Sequence, residues 1–568
     1  MKQLLFAILT ICLLATCQQQ ETADTIFLNG NIYTVNEKQP RAEALAVRDG
    51  RIIAIGNNAD IEKLKGETTE VIDLQGNFVM PGFIEGHGHF AGLGNSLMNL
   101  NFLKSKSWND IVAMVAEKAK TAKPGEWIVG RGWHQEKWET PLDKQVLGYP
   151  YHDALSAVSP NNPVMLRHAS GHGLFANAKA MEIVGVSKET PNPTGGEIVR
   201  DSRGEAIGVF EERAMSIIGQ AYQAYRDSLS EEAKKEEWLK SIELAEQECL
   251  SKGVTSFQDA GASQQEIQWY KELAENGELD LRLWAMIRHQ YPELKDKLGG
   301  LPIINAGNNF FTCRAIKSEV DGALGSFGAW LLRPYSDKSD FHGQNTTPIE
   351  NVDAIAKLAM DHDLQFCVHA IGDRANREVL NIFEKSFNNN SNKKDLRWRI
   401  EHAQHLDPAD IPRFAKMGAI ASMQGIHCTS DAPFVVKRLG EQRARNGAYA
   451  WRALLDAGAV VSNGTDAPVE DVSPLESFYA TVTRKRFAAP NIEFFPEQKL
   501  TREEAIHSYT LACAYSAFEE KDKGSLEVGK FADLVILSKD LLKCSEEEIL
   551  QTKIIMTVVN GKGKYKGG

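Results

Sequence analysis

The sequence predicts an α/β protein built around a closed parallel barrel, with a small β domain and a large insertion. Three observations carry this. From about residue 250 onward, short apolar, β-branched runs alternate with amphipathic stretches of helical spacing. Side chains able to bind metal fall at the ends of several of those runs. The two chain ends, unlike the interior, read as strand and turn.

The strand-like runs are Val254–Gln258, Leu283–Ile287, Arg314–Val320, Leu364–His369, Arg399–His402, Ala419–Gln424 and Val460–Asn463. Leu229–Lys252, Asn351–His362 and Asn376–Ser386 have apolar residues near helical spacing and read as helices. Strand–helix repetition of this kind builds a parallel sheet with helices outside. A doubly wound open sheet has the same text. The polar residues at many strand ends favour a barrel, where all carboxyl ends of strands face one site.

Before the barrel, Thr25–Val35 reads as a hairpin turning at Asn29-Gly30. Ala44–Ile55 reads as a second turning at Asp49-Gly50, and Val71–Val79 as a third. Hairpins need a partner surface. Gly529–Leu537 and Thr557–Tyr565 are also strand text, so the two ends are expected to form one composite β domain, 25–79 plus 523–566. Two separate β caps are the alternative. Ser107 to about Asp227 (107–227) holds several elements between early barrel strands and is expected to shape the barrel mouth. Within it lie Arg167 and His172, and Trp127, Trp133 and Trp138 either line that mouth or simply pack.

The chain has 568 residues, too many for one compact core. Its formal net charge is −12 and it has no long Lys/Arg run, which argues against nucleic acid as a partner. Lys2 followed by the apolar run Leu4–Ala15 has the form of an export signal, and the run is too short to span a bilayer. Leu14-Ala15-Thr16-Cys17 resembles a bacterial lipobox, with Thr16 a departure from the usual small residue. The expectation is a signal over 1–17, a tether over 18–24, and an envelope lipoprotein touching the membrane only through its lipid anchor, or else a soluble periplasmic protein. Of eight cysteines none forms a CxxC pair, and buried free thiols are expected.

Pro81-Gly-Phe-Ile-Glu-Gly-His87-Gly-His89 is apolar and then ends on two histidines that share one face of a strand. Two imidazoles converging from one strand end suit a borderline metal such as zinc. His369, His402 and Asp466 each end or follow their own strand. The 33-residue step from 369 to 402 approximates one βα unit of ~30 residues. Lys317 lies in a mostly apolar strand, where a cation is costly. It is either half of an ion pair with Glu319 or Asp321, or a neutral amine that captures CO₂ as a carbamate.

These segments resemble the amidohydrolase superfamily, specifically the amidohydrolase-3 (YtcJ-like) family that includes N-substituted formamide deformylase. The matching motifs are Pro-Gly-Phe-Ile-x-x-His-x-His, Lys317-x-x-x-Asp321-Gly-Ala-Leu-Gly, His369-Ala-Ile-Gly-Asp-Arg-Ala-Asn, Arg399-Ile-Glu-His402-Ala-Gln and Gly464-Thr-Asp466-Ala-Pro-Val-Glu, together with Arg167 through His172 and the segment starting at Gly524. The similarity runs from about Thr25 to about Tyr565. It implies a distorted (β/α)8 TIM barrel over 80–522 with a β-sandwich-like domain. It further implies two zinc ions: His87, His89 and Asp466 on one, His369 and His402 on the other, and carboxylated Lys317 bridging. Glu85 departs from the usual Asp before the HxH pair, and Gly425 from the usual Pro before His427.

The expected activity is hydrolysis of a non-peptide C–N bond (amide, N-formyl or cyclic amide) of a small molecule, with Asp466 as proton shuttle. Arg167, His172 and His427 are candidates for substrate binding. A C–O hydrolase on the same site, or a non-catalytic envelope lipoprotein, are the alternatives. A homodimer is the default expectation for the assembly.

Overall fold

The computed structural model describes residues 22–567 except 103–104, 136–137, 169–172, 194–195, 326 and 488. The export signal, the lipobox-like Cys17 and His172 therefore lie outside the described residues. The chain divides into two compact units: residues 1–87, 250–465 and 473–568 form one, and residues 88–249 with 466–472 form the other.

The first unit contains the expected barrel. Its strands are β1 (Phe83–Gly88), β2 (Val254–Ala262), β3 (Arg282–Ile287), β4 (Phe311–Glu319), β5 (Gln365–Ala370), β6 (Arg399–His402), β7 (Ile420–Gln424) and β8 (Val460–Gly464). They follow one another around a single sheet in chain order, with parallel registers from β2 through β8. Burial runs continuously along strands such as β3 and β6, as expected where helices cover one face and the barrel core the other. Trp284, Met286, Ala315 and Cys367 pack with Ala260 and Ala517 in one buried cluster.

The outer helices are amphipathic and well terminated. Gln264–Asn276 starts with a capping box, Ser263 and Glu266, and stops at left-handed Gly277 (φ 73°). Asp373–Asn389 buries Ala375, Val379, Leu380, Ile382 and Phe383 on one face.

Both chain ends join in one six-stranded sheet. Leu534–Leu537 pairs antiparallel with Phe78–Pro81, with Leu534 opposite Pro81, and Ile554–Val559 and Lys562–Lys566 extend the sheet on one side. A second, four-stranded sheet holds Ala23–Leu28, Ala44–Arg48, Arg51–Gly56 and Lys65–Asp73. Phe27, Leu45, Val47 and Ile52 from this sheet form a core with Val79, Leu534, Ile536 and Val558 from the other. The hairpin at Asp49-Gly50 is present. The expected hairpins at Asn29-Gly30 and within Val71–Val79 are not. Each of those turns is a corner that carries the chain from one sheet to the other. The corners are bonded to each other, Gly76 N–H donating to Asn29 O at 2.7 Å. Burying apolar faces between two sheets outweighs the short-range turn signal.

The second unit has its own six-stranded sheet, in the order Gly196–Arg200, Ala206–Glu212, Gly173–Ala176, Val164–His168, Ile128–Trp133, Leu100–Asn101. One buried core contains Trp108, Trp133 and Phe175, and another contains Trp127, Met165 and Phe210. Trp127 and Trp133 thus pack in cores, and Trp138 packs partly buried against the first. Among the described residues no helix is long and apolar enough to cross a membrane, and all six cysteines are free, five of them buried.

Candidate metal centre

Strand geometry brings three imidazoles of the first unit together. His87 near the end of β1, His369 near the end of β5 and His402 at the end of β6 form a continuous group. The His402 ring centroid lies 4.7 Å from that of His87 and 4.5 Å from that of His369, both edge-on. His402 has φ 73° and Ala403 φ 42°, so the backbone is left-handed where β6 delivers its histidine. Non-glycine residues adopt this conformation at a cost, and it recurs at functional sites.

Two of these rings are gripped at Nδ1. His87 Nδ1 donates to Glu401 Oε2. His402 Nδ1 donates to Gln424 Oε1 at 2.7 Å, while the Gln424 amide nitrogen donates to Ser422 O at 3.3 Å, which sets the amide's orientation. Both contacts favour the tautomer whose Nε2 carries a lone pair. His369 Nε2 lies 3.7 Å from Asp321 Oδ1. Asp321 accepts from the backbone N–H groups of Trp330, Ile371 and Gly372 at 2.8–2.9 Å. Burial nevertheless pushes its carboxyl up to about 7.

Lys317 is buried on β4, in register with Cys367 on β5. Of the two carboxylates that its sequence offered as partners, Glu319 pairs with Arg288 and Asp321 takes the three backbone donors. Burial would raise the Glu401 carboxyl, but Arg399 beside it, then His87 and Lys317, hold it well below the usual carboxylate range.

His427 opens the short helix His427–Ser430 just after β7. It is buried, and its Nε2 has no hydrogen-bond partner among the described residues. A ring nitrogen of His427 lies within 4.8 Å of one on His402, and the rings are near parallel, 6.2 Å apart.

In the second unit, His89 Nε2 lies 3.3 Å from Asp466 Oδ1, and His89 N–H donates to Ala467 O at 2.7 Å. Asp466, like His402, is left-handed (φ 61°). His89 follows His87 by two residues and Asp466 follows Thr465 by one. Arg167 stands exposed on Val164–His168.

The residues fit a divalent metal centre. Imidazole nitrogens and a carboxylate are the donor set of a borderline cation. Protons held on Nδ1 leave Nε2 of His87 and of His402 as lone-pair nitrogens, and among the described residues the buried Nε2 of His427 has no hydrogen-bond partner to offset its desolvation. Sequence reasoning missed Glu401, Arg399, Gln424 and Glu85 as supports. One signal was available for the first pair: Arg399 and Glu401 stand two apart in the strand-like run Arg399–His402, hence on one face.

The model of the Amidohydrolase family matches residues 70–564 of this chain. YtcJ of Bacillus subtilis is 32% identical over 552 residues, covering 95% of this chain and 99% of YtcJ. N-substituted formamide deformylase of Arthrobacter pascens is 27% identical, covering 96% and 98%. The crystal structure of a metal-dependent hydrolase from Pyrococcus furiosus, 27% identical, superposes with a TM-score of 0.73 over 91% of this chain and 100% of the other.

Proposed function

The chain belongs to the Amidohydrolase family, and from that premise we propose that it hydrolyses a non-peptide C–N bond, of an amide, N-formyl or cyclic amide type, in a small molecule. The observation that carries this reading is the cluster at three strand ends in which the His402 ring centroid lies 4.7 Å from that of His87 and 4.5 Å from that of His369. The similarity to N-substituted formamide deformylase supports the C–N assignment.

Two zinc ions are proposed as the cofactor. His87, His89 and Asp466 would hold one, His369 and His402 the other, and Lys317 as its carbamate would bridge them. When bound, such metals supply Lewis acidity, activating water and polarising the scissile carbonyl. Asp466 takes the proton from the attacking water and returns it to the leaving nitrogen, which converts a poor leaving group into a neutral amine. His427 would hydrogen-bond the substrate carbonyl as negative charge develops on its oxygen. Glu401 and Gln424 hold two imidazoles in the tautomer these roles need. The signal-like N-terminus supports placing the enzyme at the cell envelope, anchored by a lipid at Cys17, with a small molecule rather than nucleic acid as its partner.

The test is a panel of N-formyl amines, N-acyl amines and cyclic amides set beside esters and lactones, assayed with zinc restored after chelation. Turnover of an amide-type substrate that disappears with chelator and returns with zinc is expected. Turnover of esters or lactones alone would overturn the C–N assignment. Elemental analysis should give about two metals per chain, and one would overturn the bridged version.

A further inference from the structure

We propose that Glu401, locked by Arg399, is a positioning residue that dictates which nitrogen of His87 faces the metal. This rests on the metal-centre reading above. The argument begins with Arg399, which is fully buried on β6. Its Nε donates to Glu401 Oε1 at 2.7 Å and its Nη2 to Glu401 Oε2 at 3.0 Å. Nη1 donates to Gln258 Oε1 on β2 at 2.5 Å. Nη2 also reaches Gly86 O on β1 at 2.7 Å and Ser422 Oγ on β7 at 2.8 Å. One guanidinium therefore ties four barrel strands together and presents Glu401 in a single orientation.

Glu401 Oε2 also accepts from His87 Nδ1. A carboxylate can only accept, so His87 must carry its proton on Nδ1 and offer a lone pair at Nε2. No neutral side chain of the same shape can replace it. In Glu401→Gln, an amide oxygen turned toward His87 would still accept from Arg399 Nη2 but would set the amide N–H₂ against the Nε–H of Arg399. Turned the other way, the amide N–H₂ would donate to His87 Nδ1, forcing the proton onto Nε2, where it blocks the metal. Either orientation fails, the first against the Nε–H of Arg399 and the second by placing the proton on His87 Nε2. The pair thus works as a tautomer lock, a role that ion pairing for stability alone would not require.

The distinguishing experiment measures zinc affinity of the full chain by competition with a chromophoric chelator, alongside unfolding of the metal-stripped protein. Glu401→Gln is expected to bind zinc about 10–100-fold more weakly. Glu401→Asp keeps the charge but shortens the reach to His87, and it too is expected to lose affinity, which keeps the test open if Glu401→Gln folds poorly. Adding Arg399→Met to Glu401→Gln frees the amide oxygen to face His87 and is expected to recover part of the loss. Asp533→Ala, which breaks the buried Arg282–Asp533 pair and alters no partner of Arg399 or Glu401, should lower stability and leave zinc affinity unchanged. If His87→Ala loses zinc while Glu401→Gln and Glu401→Asp keep it, the lock is refuted and the metal centre stands. If His87→Ala binds zinc as the unaltered chain does, both fall.

Discussion

The carboxylate of Glu85 on the first barrel strand accepts both the backbone N–H of Thr465, at 2.6 Å, and its hydroxyl, at 3.0 Å, just past the last strand. This fully buried contact fastens β1 to β8, where the parallel ladder ends, and Thr465 is the immediate neighbour of Asp466. Glu85→Ala would leave two buried donors without an acceptor, a loss of about 2–4 kcal/mol. Glu85→Gln keeps a carbonyl for the N–H and should lose about 1 kcal/mol. Urea unfolding of both variants checks the ranking, and equal losses would refute this account of the closure.

The same seam excludes a side chain at Gly464. A Cβ there would lie 2.5 Å from Glu85 Oε1 and 2.7 Å from the backbone nitrogen of His87. Gly464→Ala must push the two strands apart, so it should cost about 1–3 kcal/mol and also weaken zinc binding, because His87 is displaced with its strand. Zinc titration together with denaturation shows whether the two effects move together.

Asp466→Asn should keep its metal and lose about 10²–10⁴-fold in kcat, since an amide can ligate through oxygen but cannot shuttle a proton. Metal analysis of the purified variant separates this outcome from loss of the centre. A variant with full activity would remove Asp466 from the chemistry.

His405 is buried, and neither ring nitrogen has a hydrogen-bond partner among the described residues. Burial, then the nearby Arg443 cation, pushes it down to about 3 from its ordinary 6.5. Below pH ~6.5 the unfolded chain takes up a proton that the folded chain refuses, so stability is complete above that pH and falls as pH drops toward 3. The loss attributable to His405 between pH 6.5 and 4 should be about 2–3 kcal/mol. His405→Phe, which fills the same apolar site without titrating, should flatten that acid limb of the stability profile, and an unchanged slope would assign the limb to other groups.

Arg282 on β3 pairs with Asp533 just before the strand Leu534–Leu537, at 2.7 Å and 3.2 Å, with both side chains almost fully buried. The pair joins the barrel to the composite sheet. Asp533→Ala should destabilise by about 3–5 kcal/mol, chiefly by stranding a buried cation, and Arg282→Met combined with Asp533→Leu should cost markedly less. Unfolding of the single and double variants gives the comparison.

Much of this was legible in the order of residues. Apolar runs separated by helical text announced a parallel barrel, and His369 and His402 stood at strand ends because in a barrel those ends face one site. Arg399 and Glu401 were harder to read, since two charges inside a strand have no meaning until their partners on other strands are known. The turn at Asn29-Gly30 and the stretch Val71–Val79 misled for a related reason: a tight turn has the same local chemistry whether the next strand returns in its own sheet or crosses to another.

The linear chain by itself therefore determined the alternation of elements, the family motifs and which side chains stand at the strand ends, because these depend on neighbours a few bonds or one turn away. The tertiary structure alone decided how β1 meets β8, which sheet each terminal strand joins, and which nitrogen of His87 is held. Those choices are made by contacts between residues far apart in the chain, such as His87 and Glu401, 314 positions from each other. Only burial in a common core makes such a hydrogen bond strong enough to select one arrangement.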